Sequence, residues 1–299
     1  MRFLLLAALV ATTALAQPPA QQPSAPLQDS AASRAVVATR VYLGFDRNSY
    51  PGDSALPELR KHFSFTGYWL NKPPGATRNT WLGKREALVR ADFGFLIVAN
   101  GRLDAELIRA AHHGKSAAAF GRADAADATA AAHREGFPAG AILFLDQEEG
   151  GRLLPEQASY LFAWTEAVAR SAYLPGVYAS GHPSDDGPGP NGKPVFITTI
   201  QDIRQQVVAK HLHPIAFWVA EDACPPAPGC VVSANPPLPD LSGTLDSTAW
   251  QFAQSPRRPS LTRACGRTYA ANGDCNTLAP ARFDVDLSSA LSSDPSHGR

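Results

Sequence analysis

Acidic residues recur where short apolar runs end. Gly44-Phe45-Asp46 closes the first run, and Leu145-Asp146-Gln147-Glu148-Glu149 closes a later one. Ala220-Glu221-Asp222 closes a third, and Asp284-Val285-Asp286 lies in the last. Side chains alternate along a strand, so Asp146 and Glu148 point one way and Glu149 the other. Asp284 and Asp286 share a face by the same rule. Gathered around one mouth, Asp46, Asp146, Glu148 and Asp286 would repel one another and lose water, which raises the pKa of at least one. A carboxyl kept protonated near neutrality can donate to a glycosidic oxygen. An ionised neighbour can then stabilise positive charge on the sugar or activate water. These four are the catalytic candidates for glycoside hydrolysis. Glu149, Glu221, Asp222 and Asp284 are expected to be structural or peripheral, since acids that open a βα loop also cap helices.

Other chemistry has weaker support. Tyr68, Trp69, Tyr178, Trp218 and Trp250 lie on or beside apolar runs, where most aromatics fill cores. Trp250, next to Gln251 near a strand end, is the best stacking platform for a sugar; Tyr178 and Trp69 join them as substrate-binding candidates. None of the eight histidines falls in an HExxH pattern. His112-His113 and His211-x-His213 read as packed or solvated, and Ser180-Gly181-His182 lacks the GxSxG turn. No metal or cofactor is implied.

The elements that must position these acids alternate strand and helix. Eight strands are expected near 41–45, 65–70, 93–99, 141–145, 176–179, 215–220, 248–252 and 283–287. Continuous apolar runs of this kind suit strands buried on both faces of a parallel sheet. Pro155 to Tyr173 carries an i, i+3, i+4, i+7 apolar stripe behind a first-turn proline. Helices are also expected over 123–134, ending at Gly136, and over 81–90 and 199–210. Eight strands with intervening helices across 41–287 match a single (β/α)8 barrel, whose chemistry lies at the C-terminal ends of the strands. An open doubly wound sheet is the alternative, without a GxGxxG after the first strand to support it. The polar segment from Gly181 to Pro194 reads as a surface insertion, with a lid as the other possibility.

Composition bounds the partners. Among 299 residues, 27 Lys+Arg balance 27 Asp+Glu, 18% are charged and 44% hydrophobic. That balance excludes a dedicated nucleic-acid binder and a disordered chain. Met1-Arg2, the apolar run Phe3–Ala11 and Ala14-Leu15-Ala16 form a signal-peptide pattern over 1–16, too short to span a bilayer. Residues 17–38, rich in Gln, Pro, Ser and Ala, read as a flexible linker, the barrel as 39–290, and 291–299 as a disordered tail. Export to an oxidising compartment suits the four cysteines, as disulfides. Local pairing, Cys224 with Cys230 and Cys265 with Cys275, is the simplest of three connectivities.

Six short motifs in order carry a resemblance. They are Gly44-Phe45-Asp46, the Asp146-x-Glu148 strand, Pro175-Gly-Val-Tyr-Ala-Ser180, Phe217-Trp-Val-Ala220, Trp250-Gln251 and Val285-Asp286-Leu287. Over 41–287 the chain resembles the glycoside-hydrolase-like domain of unknown function of secreted bacterial proteins (DUF1906, the Rv2525c-like type). That group is related in pattern to family 25 lysozyme (N-acetylmuramidase) barrels. The resemblance implies Glu148 as proton donor, Asp146 as its carboxylate neighbour, and Asp46 and Asp286 at the same mouth. Glu221-Asp222 after the sixth strand, and Glu149 with Gly150-Gly151, depart from the family pattern.

Three readings follow. The first is a secreted or periplasmic hydrolase of cell-wall glycan, with peptidoglycan the leading polysaccharide and the protein a monomer without a membrane span after signal cleavage. The second is a catalytically inactive, lectin-like glycan-binding barrel. The third is an envelope protein that binds another protein through its surface.

Overall fold

A computed structural model describes residues 40–256 and 284–299, with 265, 269, 273 and 275 between them. The expected signal peptide and linker lie outside the described residues. The chain divides into units 1–38 and 39–299, and only the second is described.

Eight strands close a barrel. In chain order they are β1 (Tyr42–Asp46), β2 (Phe65–Trp69), β3 (Gly94–Asn100), β4 (Ile142–Gln147), β5 (Leu174–Ser180), β8 (Ala216–Ala220), β9 (Ala249–Ala253) and β10 (Asp286–Ala290). The first seven run parallel, as their apolar runs suggest. β10 differs from the expectation: it starts at 286 rather than 283 and runs antiparallel to both neighbours, β1 and β9. With this antiparallel pairing, the end of β9 and the start of β10 lie at the same mouth of the barrel. Asp286 therefore opens its strand, opposite Asp46, which ends β1. The barrel is α/β as expected, with a helix-free approach to β9 apart from a 3-10 turn at Pro239–Ser242.

Helices cover the outside where sequence favours them. α1 (Leu56–Arg60) and α2 (Arg85–Arg90) follow β1 and β2, and α3 (Asp104–His112) and α4 (Ala117–Arg134) follow β3. α5 (Pro155–Ala169) follows β4, and α6 (Thr199–Ala209) precedes β8. The Ala-rich α4 begins at Ser116, whose hydroxyl accepts from Ala119 N at 3.3 Å. α6 begins with a capping box: Thr198 Oγ1 accepts from Gln201 N at 3.0 Å, and Gln201 Oε1 accepts from Thr198 N at 2.9 Å. No helix among the described residues is long and apolar enough to cross a membrane.

Two expectations about the periphery are corrected. Residues 291–299 are not a loose tail; they lie across the N-terminal ends of β3 and β4. Ser296 is fully buried, its hydroxyl accepting from Ile97 N at 2.9 Å and its carbonyl from Ile142 N at 2.9 Å. Gly94 permits this approach, since a Cβ there would lie 2.0 Å from Ser293 O. Unpaired strand-end N–H groups supply the donors, a signal that composition does not carry.

The disulfides pair Cys224 with Cys265 and Cys230 with Cys275, not locally. They join the segment leaving β8 to the connection between β9 and β10. Their Cα atoms are 4.9 and 5.3 Å apart, within ordinary bridging range. Closing loops of 41 and 45 residues, each removes unfolded-chain entropy worth about 4 kcal/mol. The expected insertion after β5 forms a hairpin of β6 (Ser184–Pro188) and β7 (Pro194–Ile197).

Candidate active site

Register brings the site together. Asn100 aligns with Asp146, Asp146 with Tyr178, and Tyr178 with Trp218 across β3, β4, β5 and β8. Ala220 aligns with Gln251, and Asp46 with Asp286. The inward faces meet at the C-terminal mouth of the parallel strands. A cavity of about 390 Å³ opens there, and its wall includes Asp46, Glu148, Asp286, Tyr178, Gln251 and Trp218.

The acids differ in burial. Asp46 and Asp146 are each only 6% exposed, Asp286 is half-buried, and Glu148 is exposed at the rim, just past the end of β4. Asp146 lies beneath the cavity wall, and its Oδ1 has no hydrogen-bond partner. Burial, then the charge of Glu148, then that of Asp46 hold the Asp146 carboxyl well above its usual range. Burial also raises Asp46 to about 7, with Glu148 adding to the rise and a hydrogen bond from Gln251 opposing it. Asp286 is raised by burial and by Asp46, against a backbone hydrogen bond from Ser255 N. The site can thus hold a proton on one carboxyl and a charge on another near neutrality.

Neutral polar groups organise the acids. Gln251 Nε2 donates to Asp46 Oδ1 at 3.0 Å, to Oδ2 at 3.1 Å, and to Asp286 Oδ2 at 3.4 Å. Tyr178 Oη donates to Gln251 Oε1 at 2.7 Å and accepts from Gln254 Nε2 at 3.0 Å. Gly67 on β2 leaves room for Asp46, because a Cβ there would sit 2.6 Å from Asp46 Cβ. The Trp218 ring packs against the Tyr178 ring at 4.6 Å, tilted by 54°, and its Nε1 donates to Ser288 Oγ at 3.1 Å.

Of the expected substrate-binding residues, Tyr178, Gln251 and Trp69 line the cavity. Trp69 Nε1 donates to Arg47 O at 3.2 Å. Trp250 does not reach it. Neighbours on a strand face opposite ways, so with Gln251 inward Trp250 points outward, fully buried, donating to Glu221 O at 2.7 Å. Trp250 is therefore a packing residue and not a stacking platform. Gln254, Ser255, Gly67 and Trp218 were not among the site residues expected from sequence; Trp218 enters the wall through its register with Tyr178, which only strand pairing sets.

The acids expected to be peripheral fall in three places. Glu149 accepts from Asp104 N at 3.0 Å, and Asp284 lines the rim near Arg47. Glu221 and Asp222 flank His182, whose Nδ1 and Nε2 lie 3.3 and 2.8 Å from their carboxylates. Arg152, in the loop after Glu148, binds Asp186 of the hairpin at 2.6 Å and Asp202 of α6 at 2.7 Å. Among the described residues, no group of three or more His, Cys, Asp or Glu side chains is placed to hold a metal ion.

The chain is similar to several known proteins. The family model of the Rv2525c-like, glycoside hydrolase-like domain matches residues 82–224, a span that contains Asp146, Glu148 and Tyr178. No curated protein matches the chain. An uncharacterized B. stearothermophilus protein of known structure is 19% identical, with a TM-score of 0.50, over 83% of this chain and 95% of that one. The Mycobacterium tuberculosis Tat-secreted protein Rv2525c, solved with HEPES, is 12% identical, with a TM-score of 0.47, over 87% and 98% of the two chains. The catalytic domain of endolysin ply40, from a bacteriophage of Listeria monocytogenes, is 14% identical, with a TM-score of 0.42, over 85% and 95%. The first of these likenesses establishes a shared fold.

Proposed function

Starting from a chain that carries a glycoside hydrolase-like domain, we propose that it hydrolyses cell-wall glycan, with peptidoglycan as the leading substrate. One observation carries this reading: several acids converge on one cavity at the open mouth of the barrel, and burial keeps part of the set protonated near neutral pH. In the proposed reaction Glu148, at the rim, protonates the departing glycosidic oxygen. Asp46, once ionised, faces the anomeric carbon and either stabilises its developing positive charge or activates water. Asp146 and Asp286 set the electrostatic background. Trp69, Tyr178 and Trp218 give the sugar ring an aromatic wall. Two disulfides support action in an oxidising compartment outside the cytoplasm.

The test is reducing-end release from purified peptidoglycan sacculi across pH 4 to 8. Glu148→Gln is expected to abolish release while the melting temperature stays unchanged. Full activity in that variant would remove Glu148 as the acid.

A specific observation favours a second reading, a glycan-binding barrel without catalysis. The burial that holds Asp146 and Asp46 does not extend to Glu148, which is exposed. Sacculi that pellet the protein without release of new reducing ends would select this reading.

A further inference from the structure

The hydrogen bonds beneath the cavity have a direction. Gln254 Nε2 donates to the Tyr178 hydroxyl, so that hydroxyl commits its own proton to Gln251 Oε1. With its oxygen engaged there, the Gln251 amide must turn its NH2 toward the acids. The reversed amide would set Oε1 against Asp46 and its NH2 against the donor hydroxyl, losing the bonds at both ends. At the acid end the NH2 is shared unequally: both oxygens of Asp46 lie at 3.0 and 3.1 Å, and the nearest oxygen of Asp286 at 3.4 Å. Asp46 and Asp286 are register partners on adjacent antiparallel strands, so two charges there would stand side by side. Neither forms an ion pair among the described residues.

We propose that Gln251, aimed by Tyr178 and Gln254, is a positioning residue that fixes which carboxylate of the mouth ionises, making Asp46 the charged member of the Asp46–Asp286 pair. A carboxylate gains more from a donor than a neutral carboxyl does; the Ser255 N–H favours charge on Asp286, and the Gln251 amide, close to both oxygens of Asp46, tips the pair toward Asp46. Burial lifts both acids, Asp286 well above its usual range and Asp46 to about 7, in line with that order. Among the described residues, the titratable and charged groups facing the pair are Asp146 on β4, Glu148 just past it, Tyr178 from β5, Asp222 beyond β8, and Arg47 and Asp284 at the rim. All of these except the Tyr178 hydroxyl itself stay in place in Tyr178→Phe.

The inference rests on the hydrolase reading only for its effect on rate, so its test reads protonation directly. Carboxyl 13C NMR of the purified protein follows Asp46 and Asp286 through a pH titration in wild type, Tyr178→Phe and Gln251→Met. Without the phenol the amide is free to turn, and the Asp46 midpoint is expected to rise by about one pH unit. Gln251→Met, which keeps the volume and loses the donor, is expected to raise it at least as far. Wild-type Asp46 is expected to titrate below Asp286. An unmoved Asp46 midpoint in folded Tyr178→Phe, or Asp286 titrating first in wild type, overturns the proposal. Should Gln251→Met fail to fold, Tyr178→Phe decides alone. If the wild type hydrolyses glycan, the acid limb of kcat/KM is expected to move with the Asp46 midpoint. A protein without hydrolysis but with the shifted midpoint would refute the hydrolase reading and keep this one.

Discussion

Two sets of carboxylates sit at the same end of this barrel under opposite conditions. Asp202 is fully buried and accepts from Arg152 at 2.7 Å, Leu153 N at 3.0 Å and Gln206 at 2.9 Å. Asp186 shares Arg152, and Glu221 and Asp222 share His182. Each of these acids has a basic partner, and each ties one loop to another. Asp46 and Asp146 are about as deeply buried yet pair with no cation among the described residues; Asp46 has an amide, and one oxygen of Asp146 has nothing. Burying a carboxylate without a counter-charge costs stability and raises its pKa. Acids paired with Arg152 or His182 hold the mouth in shape, and acids without such a partner are left ready to exchange protons.

The largest expected effect lies in the paired set. Asp202→Ala leaves the Leu153 N–H without its acceptor and Arg152 with Asp186 alone, and should lower unfolding stability by about 3 kcal/mol in urea denaturation. A loss no larger than that of an exposed ion pair would break the contrast.

The unpaired set should act in the opposite sense. Asp46 ionises near pH 4 when unfolded and at about 7 when folded, so between those values the folded state binds the extra proton. Stability from this group is full below about pH 4 and is lost as pH rises through about 7. Asp146, raised for the same reasons, steepens the decline. Stability should fall by about 3 kcal/mol from pH 4.5 to 7.5, and Asp146→Asn should flatten that slope. A wild type more stable at the higher pH would place compensating charge at the mouth.

The smallest effect sharpens the boundary of the site. Trp250→Phe loses the bond to Glu221 O and should cost about 1 kcal/mol, with sacculus binding unchanged. Weakened binding would bring Trp250 back to the glycan.

Legibility in the sequence followed the range of the interaction. The apolar runs for β2, β3, β4, β5 and β8 and the stripe of α5 were readable because periodicity is local. Asp146 and Glu148 could be assigned to one side because alternation is local too. The same rule, applied to Trp250 and Gln251, says only that they face opposite ways; choosing the inward one required the barrel. The tail at Ser296 looked unstructured because its partners, Ile97 and Ile142, are distant in sequence. The local cysteine pairing failed for a related reason, since spacing along the chain does not report which segments share a mouth.

The sequence by itself determined an α/β fold of apolar strands and amphipathic helices, and favoured a barrel over an open doubly wound sheet, because burying eight apolar runs leaves few architectures. It also determined that acids end those runs. Only the tertiary structure decided that β10 turns back so that Asp286 stands opposite Asp46, that the paired acids have Arg152 and His182, and that one amide serves both mouth aspartates. Those outcomes depend on which strands become neighbours, and closure of the barrel sets that once for all eight together.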